Sequence, residues 1–339
     1  MIFLVGDINL TDGYFDVGFG LGSKLAHGFN PFHSIERSSE DLWVGNFEGV
    51  AASVTEKTGT AAQQFRVLPD HLEHLHHLDV YGLANNHAMQ HGAEAYKQAI
   101  ETLKGLGSKV FGAKESRTII IEHQRRNICL TGFSQRIDTW CNQPEYWHNP
   151  EYIELQSEVL ACPADSYKIA FVHWGNEFIN YPSSQQKRFA HWLIDIGYDL
   201  VVGMHPHILQ GYEVYNNKYI FYSLGNFVFD MPWEPTKYGA IVTVDFTGDI
   251  RPDIKYRYVR IGKDYAPTVI NDNDVPDVLR FEHLNTLISK EENSEEYHAA
   301  IQKYYKRYRK ANHIDIAKKM LTHPSCGYSI IKDFIRRRF

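Results

Sequence analysis

The fold of this chain is constrained most by a set of short apolar runs, each of which is followed by polar residues that can bind a metal ion. The runs cover residues 2–5, 42–44, 80–84, 169–172 and 200–202. Apolar runs of this length, rich in β-branched and aromatic residues and bounded by glycine, are typical of buried strands. Amphipathic helices are predicted between some of them, at 93–106 and 185–196. Strands that alternate with helices predict an α/β domain.

The residues that follow these runs have side chains that bind metal ions or move protons. Ligands gather at the carboxyl ends of the strands in such sheets, so five strands with these endings predict one shared site. The four cysteines are scattered and form no CxxC pair, so His, Asp, Glu or Asn must hold any metal. The candidates are Asp7, Asn46, Glu48, Asn86, His87, His173, His205 and His207.

His205 and His207 are the sharpest local signal. Two imidazoles two residues apart, just past a strand, can reach neighbouring metal ions, although short histidine pairs also occur in loops where they bond to the backbone. Asp7 and Glu48 follow the first two strands, where a carboxylate can bridge two cations. A helix cap or a salt bridge is the alternative for these two acids. We expect all four side chains to be metal ligands.

The remaining candidates have weaker individual signals. Asn86 offers a neutral amide oxygen, and His87 beside it can donate a proton or a hydrogen bond to a reacting oxygen, with turn chemistry as the alternative for both. His173 is expected to be a ligand because the ends of the other predicted strands also present candidate ligands. Glu177 either orients a ligating histidine or faces solvent. Arg66 either clamps an anionic substrate or is a surface arginine.

The order and spacing of these motifs resemble the capsule-synthesis protein CapA family, whose members include the poly-γ-glutamate capsule proteins. The resemblance spans about residues 1–230. It rests on Gly6 with Asp7 and on the segments 46–48, 84–87, 173–177, 202–207 and 222–227. CapA-like proteins are distant relatives of the calcineurin-like metallophosphoesterases. The resemblance implies an α/β (α+β) fold, a metallophosphoesterase-like four-layer αββα sandwich, here followed by a C-terminal helical extension.

The resemblance also implies a dinuclear centre with two divalent metal ions, and the mixed ligands suit Mn, Fe or Zn. Asp7 would bind the first ion, and Glu48 would stand at the bridging position. His87 would correspond to the histidine that assists the leaving group or steadies the transition-state charge. The other ligands would be Asn86, His173, His205 and His207, with Asn9, Asn46 and Glu177 supporting them.

This chain departs from the related pattern at several positions. Asn9 stands where metallophosphoesterases have a histidine, and Glu48 replaces an aspartate at a slightly different spacing. Gln90 and Met204 stand where Asp and His are common. These changes leave one metal site poorer in ligands, so a single ion is the alternative to two.

The sequence and this resemblance predict a metal-dependent, phosphoesterase-like hydrolase involved in the biosynthesis of a capsule or exopolymer, either poly-γ-glutamate or a polysaccharide. Metal-activated hydroxide would attack a phosphoester or a γ-glutamyl amide, and the substrate would be an anionic polymer or a phosphoester. The alternative is a non-catalytic polymer-binding subunit of a capsule synthase complex, which Asn9 and Gln90 favour. No phosphate-binding glycine loop follows a strand and no GxSxG turn is present, so nucleotide-binding folds and serine hydrolases are not supported.

The C-terminal end is basic although the net charge of the chain is −6. Residues 301–339 contain eleven Lys or Arg and two Asp. We expect a domain at 1–262, a linker at 263–276 and a basic helical extension at 277–339. Without an apolar run long enough for a membrane span or a secretory signal, the chain is expected in the cytoplasm. Its tail would pack on the acidic body or touch an anionic leaflet at the inner membrane surface; a nucleic-acid partner is not favoured.

Overall fold

The computed structural model describes residues 1–75, 78–246, 252–289 and 294–324. The strands are β1 (Ile2–Ile8), β2 (Leu42–Phe47), β3 (Val50–Ala51), β4 (Arg66–Val67), β5 (Val80–Gly82), β6 (Lys109–Phe111), β7 (Thr118–His123), β8 (Arg126–Ser134), β9 (Tyr167–His173), β10 (Leu200–Met204), β11 (Leu209–Tyr215), β12 (Lys218–Leu224), β13 (Asn226–Val228), β14 (Tyr238–Asp245), β15 (Asp253–Ile261) and β16 (Pro267–Ile270). The helices are α1 (Leu21–Leu25), α2 (Ala93–Gly105), α3 (Tyr152–Ala161), α4 (Ser184–Asp195), α5 (Phe281–Ile288) and α6 (Ser294–Thr322). Short 3₁₀ helices lie at Gly59–Ala62, Pro69–Leu72, Glu234–Lys237, Asp272–Asp274 and Asp277–Leu279.

Two large sheets form the centre of the fold. One has eight strands in the order β16-β15-β14-β1-β2-β5-β6, with β13 paired to β1, and the other has six in the order β11-β12-β10-β9-β8-β7. In the first sheet β1, β2, β5 and β6 run parallel to one another. In the second sheet β8, β9, β10 and β12 do so. Each sheet therefore brings the carboxyl ends of its central strands to one edge.

The sheets pack face to face, and helices cover their outer faces. Leu4 of the first sheet and Ile169 and Phe221 of the second are buried in the core between them. Leu103 of α2 is buried against the outer face of the first sheet, and Leu193 of α4 against that of the second. Burying a side chain of this size stabilises the fold by about 1.5–3 kcal/mol. This packing confirms the predicted four-layer αββα sandwich.

Both helices predicted between the strands are present, as α2 and α4. The start of α4 is fixed by a capping box, in which Ser183 accepts a hydrogen bond from the Gln186 amide and the Gln186 side chain accepts one from Ser183. Phe189, Ala190 and Leu193 then point to the core from one face of the helix. The signal that both helices share is therefore the apolar stripe, because Gly92 at the start of α2 makes no side-chain cap hydrogen bond.

The C-terminal part is joined to the sandwich more closely than the sequence predicts. The segment 263–276, predicted as a linker, contains β16, which pairs with β15 at the edge of the first sheet. The predicted extension at 277–339 begins inside the main core, because Phe281 and Leu284 of α5 are buried there. The helix α6 also packs on the sandwich domain, since Tyr297 is buried against the segment after β9. None of the helices in the described residues is long and apolar enough to cross a membrane.

Candidate metal centre

The ends of five strands meet at one buried site. β1 carries Asp7 next to its last residue, Glu48 follows β2 directly, and β9 ends at His173. The turn after β10 supplies two histidines, and the loop after β5 supplies Asn86, whose Oδ1 lies 2.8 Å from His173 Nε2. Five donor residues are no more than 2% exposed: Asp7, Glu48, His173, His205 and His207. The structure thus brings together all six ligands that the sequence predicts.

The donor atoms form two overlapping groups. Glu48, His205 and His207 make one, and Asp7, Glu48 and His173 make the other; within each group the ligand atoms lie within 4.8 Å of one another. Glu48 belongs to both groups. Glu48 is therefore the residue shared by the two groups, at the position where the family resemblance implies a bridging carboxylate.

Some of these buried atoms have no hydrogen-bond partner among the described residues. They are both carboxylate oxygens of Glu48 and Nε2 of His205. Leaving a buried polar atom unpaired costs about 1–3 kcal/mol. Burial, and then the charge of Asp7, raises the pKa of Glu48 well above its ordinary value. The residues therefore fit a divalent cation, which would provide both the missing partner and the missing charge.

The site histidines are held in their neutral, metal-binding form. Burial lowers the pKa of His207 to about 3. Burial lowers the pKa of His173 and of His205 well below the ordinary range, and the neighbouring histidines lower it further. Burial raises the pKa of Asp7 to about 7, although hydrogen bonds to its carboxylate oppose the shift.

Two asparagines orient the ligand side chains through hydrogen bonds. Asn46 Nδ2 donates a hydrogen bond to Asp7 Oδ1 at 2.8 Å and lies 3.3 Å from His173 Nδ1, which agrees with its predicted supporting role. Asn226 Oδ1 lies 3.0 Å from His207 Nδ1, while its Nδ2 donates to the Thr236 carbonyl. Sequence reasoning left Asn226 out of the site. The signal for it is an asparagine two residues past the end of β12, at the start of β13 and inside the motif at 222–227.

The backbone of the histidine turn is strained. His205 has a φ of 95°, in the left-handed region that favours glycine. Such a conformation costs about 1–3 kcal/mol and persists only where the surroundings impose it. Here the His205 amide donates to Asp7 Oδ2 at 3.0 Å. Asp7 therefore holds the turn through the same carboxylate that would bind the metal.

His87 stands beside the donor groups with a fixed ring. Its Nε2 lies 3.7 Å from Glu48 Oε1, and its ring stacks on Phe65 with centroids 3.9 Å apart. His87 Nδ1 lies 2.7 Å from the Gln90 amide oxygen. An amide oxygen only accepts, so in the neutral ring Nδ1 carries the proton and Nε2 is free to accept one. Burial lowers the pKa of His87 to about 4.

A cleft of about 580 Å³ opens next to these residues, and Asn86, His87 and His207 line it. Glu177 lines it as well, but it makes no hydrogen bond to a site histidine in the described part of the chain. Its predicted role as an orienting group therefore has no support from the geometry. Asn9 also lines the cleft. Its Oδ1 accepts hydrogen bonds from the backbone amide and the hydroxyl group of Thr11.

The structure does not bring Arg66 into the site. Its guanidinium donates to the carbonyls of Ala62, Ala52 and Ser53, at 2.5 to 3.0 Å. These local carbonyls hold the side chain beside β4, and Arg66 does not line the cleft. The prediction that Arg66 clamps an anionic substrate is corrected accordingly. Arg136, from the end of β8, lies in the cleft instead.

Comparison with known proteins agrees with the motif order. The family model described as bacterial capsule synthesis protein PGA_cap matches residues 1–231. Among curated proteins, the chain is 35% identical over 176 residues to a capsule biosynthesis protein CapA of Bacillus anthracis, covering 48% of this chain and 43% of that protein. It is 34% identical over 178 residues to the PGA biosynthesis protein CapA of Bacillus subtilis (strain 168), covering 48% and 46%. The chain thus spans less than half the length of these relatives.

Solved structures of two nucleotidases are also similar to this chain. A putative 5′-nucleotidase from Staphylococcus aureus has 12% identity and a TM-score of 0.44, covering 84% of this chain and 57% of that one. A 5′-nucleotidase precursor from Thermus thermophilus has 15% identity and a TM-score of 0.42, covering 84% and 58%.

Proposed function

Because this chain belongs to the bacterial capsule synthesis protein PGA_cap family, we propose that it is a metal-dependent hydrolase of capsule biosynthesis. Its substrate would be a phosphoester or a γ-glutamyl amide, carried by an anionic polymer. One observation supports this most strongly: Glu48 is shared by two donor groups and is fully buried, with both oxygens unpaired in the described structure.

The chain's own residues would hold two divalent ions, of which Mn, Fe and Zn suit the donor set. Such ions, when bound, lower the pKa of water and neutralise charge that develops on an attacked phosphoryl or carbonyl group. The ligands would be Asp7, Glu48, Asn86, His173, His205 and His207.

His87 is placed to move a proton. The stack on Phe65 and the contact with Gln90 fix its ring, so Nε2 can face a reacting group without first losing rotational freedom. Since burial lowers its pKa to about 4, His87 is neutral near pH 7 and accepts a proton at Nε2. It can then return that proton to a leaving oxygen or nitrogen.

A second candidate is a non-catalytic subunit that binds the polymer for a capsule synthase complex. Asn9 favours it, because this residue replaces a histidine ligand and its oxygen is already bonded to the Thr11 amide and hydroxyl. One metal position would then be weak. In that case the remaining ion would bind a carboxylate or phosphate of the polymer without turning it over.

Metal content and hydrolysis, measured on the same preparations, test the proposal. Untagged protein purified without chelator would be analysed by inductively coupled plasma mass spectrometry, then assayed with bis(p-nitrophenyl) phosphate and with a γ-linked glutamate oligomer. We expect two equivalents of transition metal, or one if the Asn9 side is lost. His205→Ala should lose metal and hydrolysis together.

The matched control is His27→Ala, which removes an exposed histidine outside the cleft and should change neither quantity. Full hydrolysis in His205→Ala would contradict the assignment of the metal centre. Metal-loaded wild type that cleaves neither substrate but binds the oligomer would contradict the hydrolase and favour the binding subunit.

Cytoplasmic location and contact of the tail with an anionic membrane stay predictions.

A further inference from the structure

The helix α6 lies outside the family-matched residues 1–231 and forms one wall of the cleft beside the metal donors. Its first half packs on the segment that follows β9. Tyr297 is buried with Ile179 and Tyr181. Further along, the Tyr308 ring stacks on Phe178 with centroids 3.9 Å apart and planes inclined by 13°. This half of α6 is therefore fixed by aromatic packing.

The other end of α6 is fixed by charge. Lys319 Nζ lies 2.8 Å from Asp230 Oδ2 and 3.8 Å from Asp16 Oδ2, both of which line the cleft. Just after the helix, His323 stacks on Phe19 with centroids 3.9 Å apart. Because α6 is held at both ends, the residues between them face the cleft in a defined position.

Two arginines from different elements line this cleft: Arg309 of α6, and Arg136 of the segment after β8. Arg136 donates to the Gly175 carbonyl through Nη1, while its buried Nε has no hydrogen-bond partner in the described chain. Arg309 is exposed. Neither arginine forms an ion pair with a carboxylate among the described residues. Both are therefore available to an anion.

The carboxylates of the cleft do not cancel these two charges. Asp16, Asp230 and Asp315 all lie within 4 Å of Lys319, at the far end of the helix wall. Glu177 is the acid beside Arg136, and its single negative charge can offset at most one of the two positive charges. The part of the cleft that contains the arginines therefore keeps a positive balance.

Large apolar side chains surround the same opening. Ile137 is 78% exposed, Trp140 is 37% exposed and Tyr305 is 45% exposed, and all three line the cleft. Apolar side chains grouped at a cleft mark a surface that a ligand covers. A ligand for this place needs both anionic groups and apolar surface.

We propose that α6 and residues 136–140 form a subsite for an anionic chain whose carboxylates are separated by apolar spacers. Arg309 binds a carboxylate through the paired donors of its exposed guanidinium group, and Arg136 binds another through the guanidinium hydrogens that Gly175 does not take up, while Trp140 and Tyr305 cover the spacers. A γ-linked glutamate chain has this chemistry, whereas polyphosphate has no apolar spacer. The inference rests on the proposed function for what happens at the metal donors, but the subsite depends on residues outside them.

Binding of a fluorescein-labelled γ-linked glutamate oligomer to the full chain tests the subsite by fluorescence anisotropy. Arg309→Ala should raise the Kd about tenfold, because it removes hydrogen bonds to a charged group. The matched control is Lys310→Ala, which removes the same charge from the next residue of the helix, outside the cleft lining, and should keep the Kd within about twofold. Added salt should weaken wild-type binding, since the contacts are charged and partly exposed.

Equal Kd values for Arg309→Ala and wild type, or equal losses in Arg309→Ala and Lys310→Ala, would overturn the subsite. Tighter binding of polyphosphate than of the glutamate oligomer would overturn the assignment of its ligand. Metal content, measured in parallel, should be the same in wild type and both variants. Wild type that takes up no metal but binds the oligomer through Arg309 would contradict the proposed hydrolase and still support the subsite.

Discussion

Replacing Glu48 by glutamine should have opposite effects on the metal-free and the metal-bound protein. The substitution keeps the shape of a fully buried side chain and removes its charge. Without metal, that charge has no hydrogen-bond partner in the described structure and lies beside Asp7. With metal, the same charge would serve both donor groups.

The expected magnitudes follow from these contacts. Burying a charge without a partner costs more than burying a neutral amide of the same shape, so Glu48→Gln should raise the free energy of unfolding of the metal-free protein by about 1–2 kcal/mol. Because burial raises the pKa of Glu48 above its ordinary value of 4.5, this cost is absent at low pH and grows as the pH rises. Metal at a hundred times its Kd stabilises the wild type by about 2.7 kcal/mol. The variant should keep less than about 1 kcal/mol of that gain.

Urea unfolding followed by tryptophan fluorescence measures both effects, with chelator and with Mn²⁺, near pH 8. Glu122→Gln is the control, since it removes an exposed carboxylate and should change stability by less than about 0.5 kcal/mol. A metal-free Glu48→Gln protein that is less stable than the wild type would refute the reasoning. So would a variant that gains as much stability from metal as the wild type does.

Three further substitutions test other parts of the structure. Burial lowers the pKa of His91 to about 4, so its neutral form contributes stability that is present above pH 6.5 and lost as the pH falls. In urea unfolding, the free energy of unfolding of His91→Gln should therefore fall by about 2 kcal/mol less than that of the wild type between pH 7 and pH 5. Asn226→Ala should weaken metal binding about 10- to 100-fold in a metal titration, because His207 loses its orienting partner. Gly6→Ala would place a Cβ 1.9 Å from a backbone oxygen and should lower stability by about 3 kcal/mol or more in thermal unfolding, whereas Gly105→Ala meets no atom within 4 Å and should not.

The position of the metal donors could be predicted from sequence because strand ends are local features. A short apolar run predicts a strand, and the residue after it must lie at the edge of the sheet. Asp7, Glu48, His173, His205 and His207 lie at or shortly after such strand ends. Parallel pairing aligns the ends within each sheet, and the packing of the two sheets brings the two sets together. The site follows from the fold class and the position of each donor in its run.

Contacts with backbone atoms and contacts between distant segments could not be predicted in this way. Arg66 is held by carbonyls that no side-chain pattern indicates. The tyrosine stripe predicts that α6 has an apolar face, but nothing in it predicts Phe178 as the partner of Tyr308. The burial of Phe281 in the main core is likewise set by the sheets and not by the helix that carries it.

If two ions bind as proposed, the position of Glu48 in both donor groups would make the two metal positions interdependent. The first ion to bind would neutralise the charge of the carboxylate and fix its rotamer. The fixed rotamer would favour binding of a second ion, whereas the reduced negative charge would weaken that binding. Affinity for the second ion would therefore differ from affinity for the first, even with identical ions. The metal stoichiometry of such a site would depend on the free metal concentration, with one ion bound at low concentration and two at high concentration.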